Sequence, residues 1–301
     1  MSAISSDFYA SRQQCPGICA RQEPVIHDPL AASQGPLTRS ELESFDKDGF
    51  LFLPQLFVQS EVDMLYQEMQ AIRARFSGSG RPEIIAERDS SEVRSVFDIH
   101  RIDPLLARLT RYPRLLNVAR QILGGDVYIH QSRINYKPGL VGREFYWHSD
   151  FETWHMEDGM PSMRAISCAI SLTENTPYNG ALMLIPGSHR FFVSCAGETP
   201  PDHYQQSLKK QEYGIPDRAS LEFLVAQGGI TMPVGPAGSV IFFDCNTMHG
   251  SNSNISPAPR SNIFMVYNRM DNQLQAPRCG LLARPEYIAA RTDIQALSPL
   301  D

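Results

Sequence analysis

The texture of the chain changes at Gly124-Gly125, and this change constrains the fold more than any single motif. After it come VYIHQSRINY, AISCAISL, ALMLIP, SVIFFD and NIFMVY, parted by turn dipeptides such as Pro138-Gly139 and Pro186-Gly187. Short apolar runs rich in β-branched and aromatic residues, bounded by Gly and Pro, predict strands. Before it the signals are helical. Thr38-Arg39-Ser40-Glu41 has the spacing of a capping box, opening a helix that Gly49 should end. Val62, Leu65, Tyr66, Met69, Ile72 and Phe76 recur at helical spacing behind a Ser60 cap, with Gly78 and Gly80 as stops. Two further helices, Pro104 to Leu109 and Pro113 to Leu123, each open on a proline, which the first helical turn tolerates. Helices followed by many short strands predict an α+β protein built on a β-sandwich or jelly roll.

The predicted organisation is an N-terminal arm over 1–36, polar and without sustained period or recognisable chemistry, and then one domain over 37–301. That domain is helical over 37–125 and carries a jelly-roll core over about 126–275, with a helical insertion over 202–229. A chain of 301 residues buries a core without staples, so its six scattered cysteines are expected as free thiols. Cys15 and Cys19 form a lone C-x3-C, which lacks the second pair of a zinc site. With 42% hydrophobic and 20% charged residues, wholesale disorder is excluded. A net charge of −6 argues against a broad nucleic-acid-binding face. No segment approaches the roughly 18 apolar residues of a membrane span, and the start MSAISSDFYASRQQ lacks the apolar stretch of a secretory signal. The expected partner is a small molecule, with neither nucleic acid nor membrane, and the expected location is the cytoplasm.

The segment Phe145-Tyr146-Trp147-His148-Ser149-Asp150 contains an H-x-D, and His249 follows far downstream at the end of SVIFFDCNTMH. Two imidazoles and one carboxylate on one face of an octahedral ion leave positions open, as in non-haem Fe(II) oxygenases. On a strand, residues i and i+2 share a face, so His148 and Asp150 would grip one metal while Ser149 points away. The same spacing fits a surface aspartate and two hydrogen-bonded histidines, so spacing alone leaves both readings open. Arg260, at the start of an apolar strand, needs an anion if it points inward; a carboxylate cosubstrate meets that need. His189 is a rival ligand, while His100 and His130 read as core histidines.

Asp48-Gly49-Phe50, the H-x-D, Pro186-Gly187-Ser188-His189 and the interval from His249 to Arg260 resemble the phytanoyl-CoA dioxygenase superfamily of Fe(II)- and 2-oxoglutarate-dependent oxygenases. Within it, FYWHSDFETWHMEDGMP at 145–161 resembles the signature of the ectoine hydroxylases. The resemblance runs on through VRSVFDIHR at 93–101, VYIHQSRINYKPG at 127–139, and the segments 184–214 and 235–262, covering approximately residues 40–290.

It implies a double-stranded β-helix core, of jelly-roll or cupin-like form, in which His148, Asp150 and His249 hold Fe(II) and form the catalytic centre. It implies that Lys137 and Arg260, with Ser167, Asn135 and the Phe145 wall, hold 2-oxoglutarate. Which of the two cations touches the distal carboxylate stays open. For ectoine, a cyclic amidine with a carboxylate, it points to Gln131, Thr153, Trp154, Phe243, Asn262 and Phe264. Aromatic faces suit the delocalised cation, and side-chain amides and a hydroxyl suit the polar edges. His155, Glu157 and Asp158 are expected as scaffold, and His189 as a turn residue. The implied reaction is hydroxylation of ectoine to 5-hydroxyectoine with O2 and 2-oxoglutarate as cosubstrates, yielding succinate and CO2. Asp150 in place of Gly or Ala points to hydroxylation rather than halogenation. A homodimer and a compatible solute against osmotic and heat stress complete the expectation. The alternatives are hydroxylation of another small cyclic amino acid, such as proline, and a metal- or solute-binding jelly roll without turnover.

Overall fold

The computed structural model describes residues 7–28, 34–86, 92–207 and 213–300. Parts of the predicted arm and residues 208–212 of the predicted insertion lie outside the described residues. In chain order the elements are β1 (Gly17–Ala20), α1 (Arg39–Asp48), β2 (Phe50–Leu53), α2 (Gln59–Phe76), β3 (Ile84–Ala86), β4 (Val93–Phe97) and α3 (Ile99–Ile102). Next come α4 (Pro104–Leu109), α5 (Pro113–Leu123), β5 (Val127–Lys137), β6 (Phe145–His148), α6 (Asp150–Asp158), β7 (Ala165–Ser171), β8 (Leu182–Leu184) and β9 (Phe191–Ser194). The chain continues through α7 (Tyr204–Ser207), α8 (Arg218–Gly228), β10 (Val240–Asp244), β11 (His249–Ser251) and β12 (Arg260–Arg269).

The capping signals upstream of Gly124 act as the sequence predicts, with one exception, but the half expected to be helical, 37–125, also supplies β2, β3 and β4 to the largest sheet, because the core recruits strands from both sides of Gly124. Thr38 and Glu41 close the capping box, Thr38 N donating to Glu41 Oε2 at 2.7 Å, and Gly49 ends α1 at φ 80°. Both proline-initiated helices have the predicted bounds. α2 instead starts after Val58, so Ser60 lies inside the first turn; Glu61 caps it by accepting from Val58 N at 3.0 Å.

Seven strands form one sheet in the order β2-β10-β7-β12-β5-β4-β3, three form a second in the order β6-β11-β8, and β1 pairs with β9. Burial of period two sorts the layers. Ile166, Cys168 and Ile170, Val240 and Phe242, and Ile263, Met265 and Tyr267 point outward into a core shared with Phe45, Leu65, Met69, Leu115 and Ile122 of the helices. The alternate residues Ala169, Ile241, Phe243 and Phe264 point inward against Leu182 and Leu184 of the small sheet. Each large apolar side chain buried in this way stabilises by about 1.5–3 kcal/mol. Helices therefore cover the outer face of the large sheet, and the small sheet covers the inner one: the predicted jelly roll.

The described part of the N-terminal arm packs onto the domain. β1 adds to β9, Tyr9 packs with Phe151, Trp154 and Phe192, and Arg21 forms a buried pair with Asp244 at 2.8 Å. Arg12 reaches Glu152 at 3.1 Å and Glu157 at 2.6 Å, all three side chains nearly sealed from solvent.

Candidate active site

The H-x-D does not lie on one strand. β6 stops at His148, Ser149 is extended at φ −106°, and Asp150 begins α6. His249 likewise opens β11 rather than closing β10, which ends at Asp244. The β6–β11 ladder pairs His249 directly with His148, and their ring centroids are 4.3 Å apart. Asp150 Oδ1 is 3.7 Å from His148 Nε2, and Oδ2 is 3.9 Å from His249 Nε2.

Backbone carbonyls set the tautomer of both rings. His148 Nδ1 donates to Tyr146 O at 2.6 Å and His249 Nδ1 to Thr247 O at 2.9 Å. A carbonyl only accepts, so each Nδ1 carries the hydrogen and each Nε2 offers its lone pair to the site. Burial and the neighbouring His249 hold His148 down at about 4, in the neutral form a metal needs. One ligand atom from each of His148, Asp150 and His249 lies within 4.8 Å of the others, and among the described residues no other His, Cys, Asp or Glu group could hold an ion in this way. The donor set fits the two-histidine, one-carboxylate face of non-haem iron.

Above the triad lies a cavity whose floor is the inner face of the large sheet. The β12–β5 ladder sets Arg260 opposite Lys137, Asn262 opposite Asn135 and Phe264 opposite Arg133. Gln131, Asn135, Arg260 and Phe264 line the cavity from this floor, and Phe145, Thr153 and Trp154 from the rim. Ser167, Phe243, Asn262 and Lys137 stand behind the lining. Ser167 Oγ donates to Asp150 Oδ2 at 3.4 Å, and the Phe243 ring lies 5.0 Å from that of His249. Asn262 Oδ1 accepts from Arg260 Nε at 3.3 Å. Lys137 Nζ donates to Ser251 Oγ at 2.8 Å and to Asn252 O at 2.6 Å.

Two guanidiniums in this cavity lack a carboxylate among the described residues. Arg260 is 5% exposed, and its other protein contact is Nη1 donating to Gly180 O. Burial brings it down to about 10. Arg133, which the sequence reading missed, is also lowered by burial. Its Nε has no partner, and its Nη1 reaches only Gln131 Oε1 at 3.4 Å. It lies over Phe264 at 5.1 Å. Strand period could have found it, since Gln131, Arg133, Asn135 and Lys137 alternate with Ser132, Ile134 and Tyr136.

The residues expected as scaffold are tied down. His155 Nε2 meets Asp7 at 3.0 Å, and Asp158 pairs with Arg284 at 2.5 Å. Glu157 also lines the cavity, as does Arg284, a second cation that sequence reasoning did not single out. His189 Nε2 donates to Asp46 O at 3.0 Å, away from the triad. His100 bonds Ser132 at 2.6 Å. His130 packs against Trp154 with centroids 4.9 Å apart.

Comparison with known proteins agrees with this geometry. The family model for phytanoyl-CoA dioxygenase (PhyH) matches residues 45–262. An ectoine dioxygenase of Bordetella parapertussis is 56% identical over 302 residues, spanning 100% of this chain and 98% of that protein. The chain belongs to the phytanoyl-CoA dioxygenase family, in its ectoine dioxygenase branch. Another ectoine dioxygenase, from Halomonas elongata, is 50% identical over 279 residues, 93% of this chain and 83% of that one. The crystal structure of EctD from S. alaskensis with 2-oxoglutarate and 5-hydroxyectoine superposes with a TM-score of 0.87 at 44% identity, covering 98% of each chain. Family membership accounts for the jelly roll, and the cavity carries the specific chemistry.

Proposed function

We propose that this chain hydroxylates ectoine to 5-hydroxyectoine in an Fe(II)- and 2-oxoglutarate-dependent reaction that consumes O2 and releases succinate and CO2. The observation that carries this reading is a pair of guanidiniums without an ion-paired carboxylate among the described residues, buried Arg260 and half-buried Arg133, in one cavity with a two-histidine, one-carboxylate set. Two anions are called for: 2-oxoglutarate supplies one in its distal carboxylate, and zwitterionic ectoine supplies the other.

His148, Asp150 and His249 would hold Fe(II), and the bound ion supplies the oxidising chemistry that amino-acid side chains lack. The protein's own part is orientation. Arg260 takes the distal carboxylate of 2-oxoglutarate with its planar fork. Lys137 adds positive charge through Ser251, whose hydroxyl it donates to on the cavity wall. Asn135 uses Oδ1 to accept from Ser95 Oγ at 2.8 Å, leaving its amide N–H groups for the cosubstrate. Phe145 forms the wall, and Ser167 steadies Asp150.

On the substrate side, Trp154 and Phe264 offer faces to the amidine cation, and Arg133 pairs with the ectoine carboxylate. Gln131, anchored through its amide to Ile288 O at 2.7 Å, keeps its carbonyl for Arg133 and ligand. Thr153 serves the polar edges, Asn262 steadies Arg260 from behind the lining, and Phe243 backs His249. The reading extends to a cytoplasmic homodimer whose product is a compatible solute under osmotic and heat stress; 2-oxoglutarate is a metabolite of that compartment, and light scattering tests the dimer.

The deciding experiment is anaerobic reconstitution with Fe(II), then 2-oxoglutarate, ectoine and O2, with succinate and product masses read together. One oxygen gained by ectoine with stoichiometric succinate is expected. Turnover of L-proline but not ectoine, or tight binding without succinate, would overturn it.

A further inference from the structure

The two halves of the triad come from segments far apart in sequence, and the β6–β11 ladder shifts register just after the His249–His148 pair. A short irregular ladder is a poor device for keeping ligand atoms in place. A serine at a helix N-cap usually accepts a hydrogen bond from a first-turn N–H. Ser149, at the N-cap of α6, makes no such bond. Its hydroxyl instead donates to Asn246 Oδ1 at 2.9 Å. On the other side of Asp150, Phe151 N donates to Cys245 O at 2.8 Å. Asp150 is therefore bracketed by two bonds to consecutive residues, on the segment that goes on to supply His249.

Asn246 is 1% exposed and fully satisfied. Its Nδ2 donates to His189 O at 3.0 Å and Phe191 O at 2.9 Å, drawing in the Pro-Gly-Ser-His turn. Its backbone N–H donates to Asp244 Oδ1 at 2.8 Å, and Arg21 of the N-terminal arm holds Asp244 Oδ2 at 2.8 Å. Only a short side-chain amide offers two donors and an acceptor from this position. Aspartate would lose the donors, and an apolar residue would lose all three side-chain bonds.

We propose that Asn246, acting through Ser149, is a positioning residue that sets the separation of the two metal-ligand segments, so that iron affinity depends on this pair although neither residue is a ligand. The inference rests on His148, Asp150 and His249 being the metal site. Residues behind metal ligands typically govern affinity by about 10–100-fold, and a bracket around Asp150 fits that role.

The test uses the full chain. Ser149→Ala deletes one hydroxyl and leaves the other bonds of Asn246 intact; Asn246→Asp keeps shape and acceptor but loses both donors. Each apoprotein is melted, titrated anaerobically with Fe(II), and separately loaded with Co(II), whose visible absorption reports coordination geometry. Ser149→Ala should bind Fe(II) about tenfold more weakly with an altered Co(II) spectrum and a near-parental apo melting temperature. Asn246→Asp should bind more weakly still. Parental Fe(II) affinity and an unchanged Co(II) spectrum in Ser149→Ala would overturn the proposal, whatever Asn246→Asp does, including failing to fold. If the parent itself bound no Fe(II), the metal assignment would fall and this inference with it, a pattern distinct from tight binding in parent and variant alike.

Discussion

Arg260 and Lys137 face each other across the β12–β5 ladder on the same side of the sheet, yet only the guanidinium lines the cavity. The ammonium is turned to Ser251 Oγ and Asn252 O. Arg260 should therefore dominate recognition of the cosubstrate carboxylate. Arg260→Ala removes one partner of a buried charge pair, which typically costs about 3–5 kcal/mol. The absorption band of the Fe(II)–2-oxoglutarate complex should then need far more 2-oxoglutarate to saturate, while iron binding persists. Lys137→Ala should have the smaller effect; the reverse order would assign the direct contact to Lys137.

Substitution at the triad separates metal binding from folding. His148→Ala, Asp150→Ala and His249→Ala should each abolish turnover by loss of iron and leave the circular dichroism of the apoprotein unchanged, because three protein ligands hold the ion facially. Asp150→Glu should fail or nearly so, since an added methylene misplaces the oxygen in a site that tolerates shifts of about 0.5 Å. Turnover retained by any alanine variant would reject the assignment.

Arg133 and Trp154 should affect ectoine and spare 2-oxoglutarate. Losing hydrogen bonds to a charged partner costs about 1.5–3 kcal/mol, the range expected for ectoine binding in Arg133→Ala. Trp154→Ala should cost about 0.5–2 kcal/mol from the cation–π contact, and more if packing with Phe151 and Val266 collapses. Calorimetry with ectoine on the anaerobic Fe(II)–2-oxoglutarate protein reads both. An Arg133 variant with unchanged ectoine affinity but weakened 2-oxoglutarate would reverse its role.

The arm prediction is one of stability. Arg12→Ala leaves Glu152 and Glu157 buried without their nearest cation, and breaking such a pair typically costs about 3–5 kcal/mol. Arg39→Ala, which breaks an exposed pair with Glu43, should leave the denaturant midpoint nearly unmoved. Equal midpoints for the two variants would mean the arm is not part of the folded core.

Acid should destabilise the apoprotein through its buried histidines. Burial holds His27, His100 and His130 down at about 4, while the unfolded chain takes up these protons near pH 6.5. Their contribution is fully present above about pH 6.5 and is lost as pH falls toward 4, by up to about 1.4 kcal/mol per pH unit for each group. Asp98, raised by burial to about 6, works the other way, its share being lost as pH rises toward 6. His148 and His189 are lowered by burial as well, so the histidines outweigh Asp98, the melting temperature should fall between pH 7 and pH 5, and His130→Asn should flatten that fall. A slope unchanged in His130→Asn would contradict the burial argument for this residue.

The signals readable from sequence are local ones. Thr38 with Glu41, the prolines at 104 and 113, and Gly49 and Gly124 act through bonds within a few residues of themselves, so the helices they bound need no tertiary information. α6 escaped notice for the opposite reason. Phe151, Glu152, Trp154, His155, Met156, Glu157 and Asp158 are all buried, so the helix has no polar face and no amphipathic period. Its acidic residues are neutralised by Arg12 from the arm and Arg284 from the C-terminal segment, partners that no spacing rule connects to it.

The amino-acid sequence by itself determined the capped helices upstream of Gly124, the main strands after it and the alternation of polar and apolar residues along β5, while its resemblance to a known family singled out His148, Asp150 and His249. The elements and the alternation follow from residue type and local period, which every residue carries with it. Tertiary structure decided which cations reach the cavity, that the H-x-D bends from strand into helix, and that the N-terminal arm is part of the core. Each of those depends on what packs on the other side: Ser251 and Asn252 drawing Lys137 away, residues 245 and 246 bracketing Asp150, and buried glutamates receiving Arg12. Contacts between distant segments form only when the sheets close over one another, and the chain's local chemistry does not specify them.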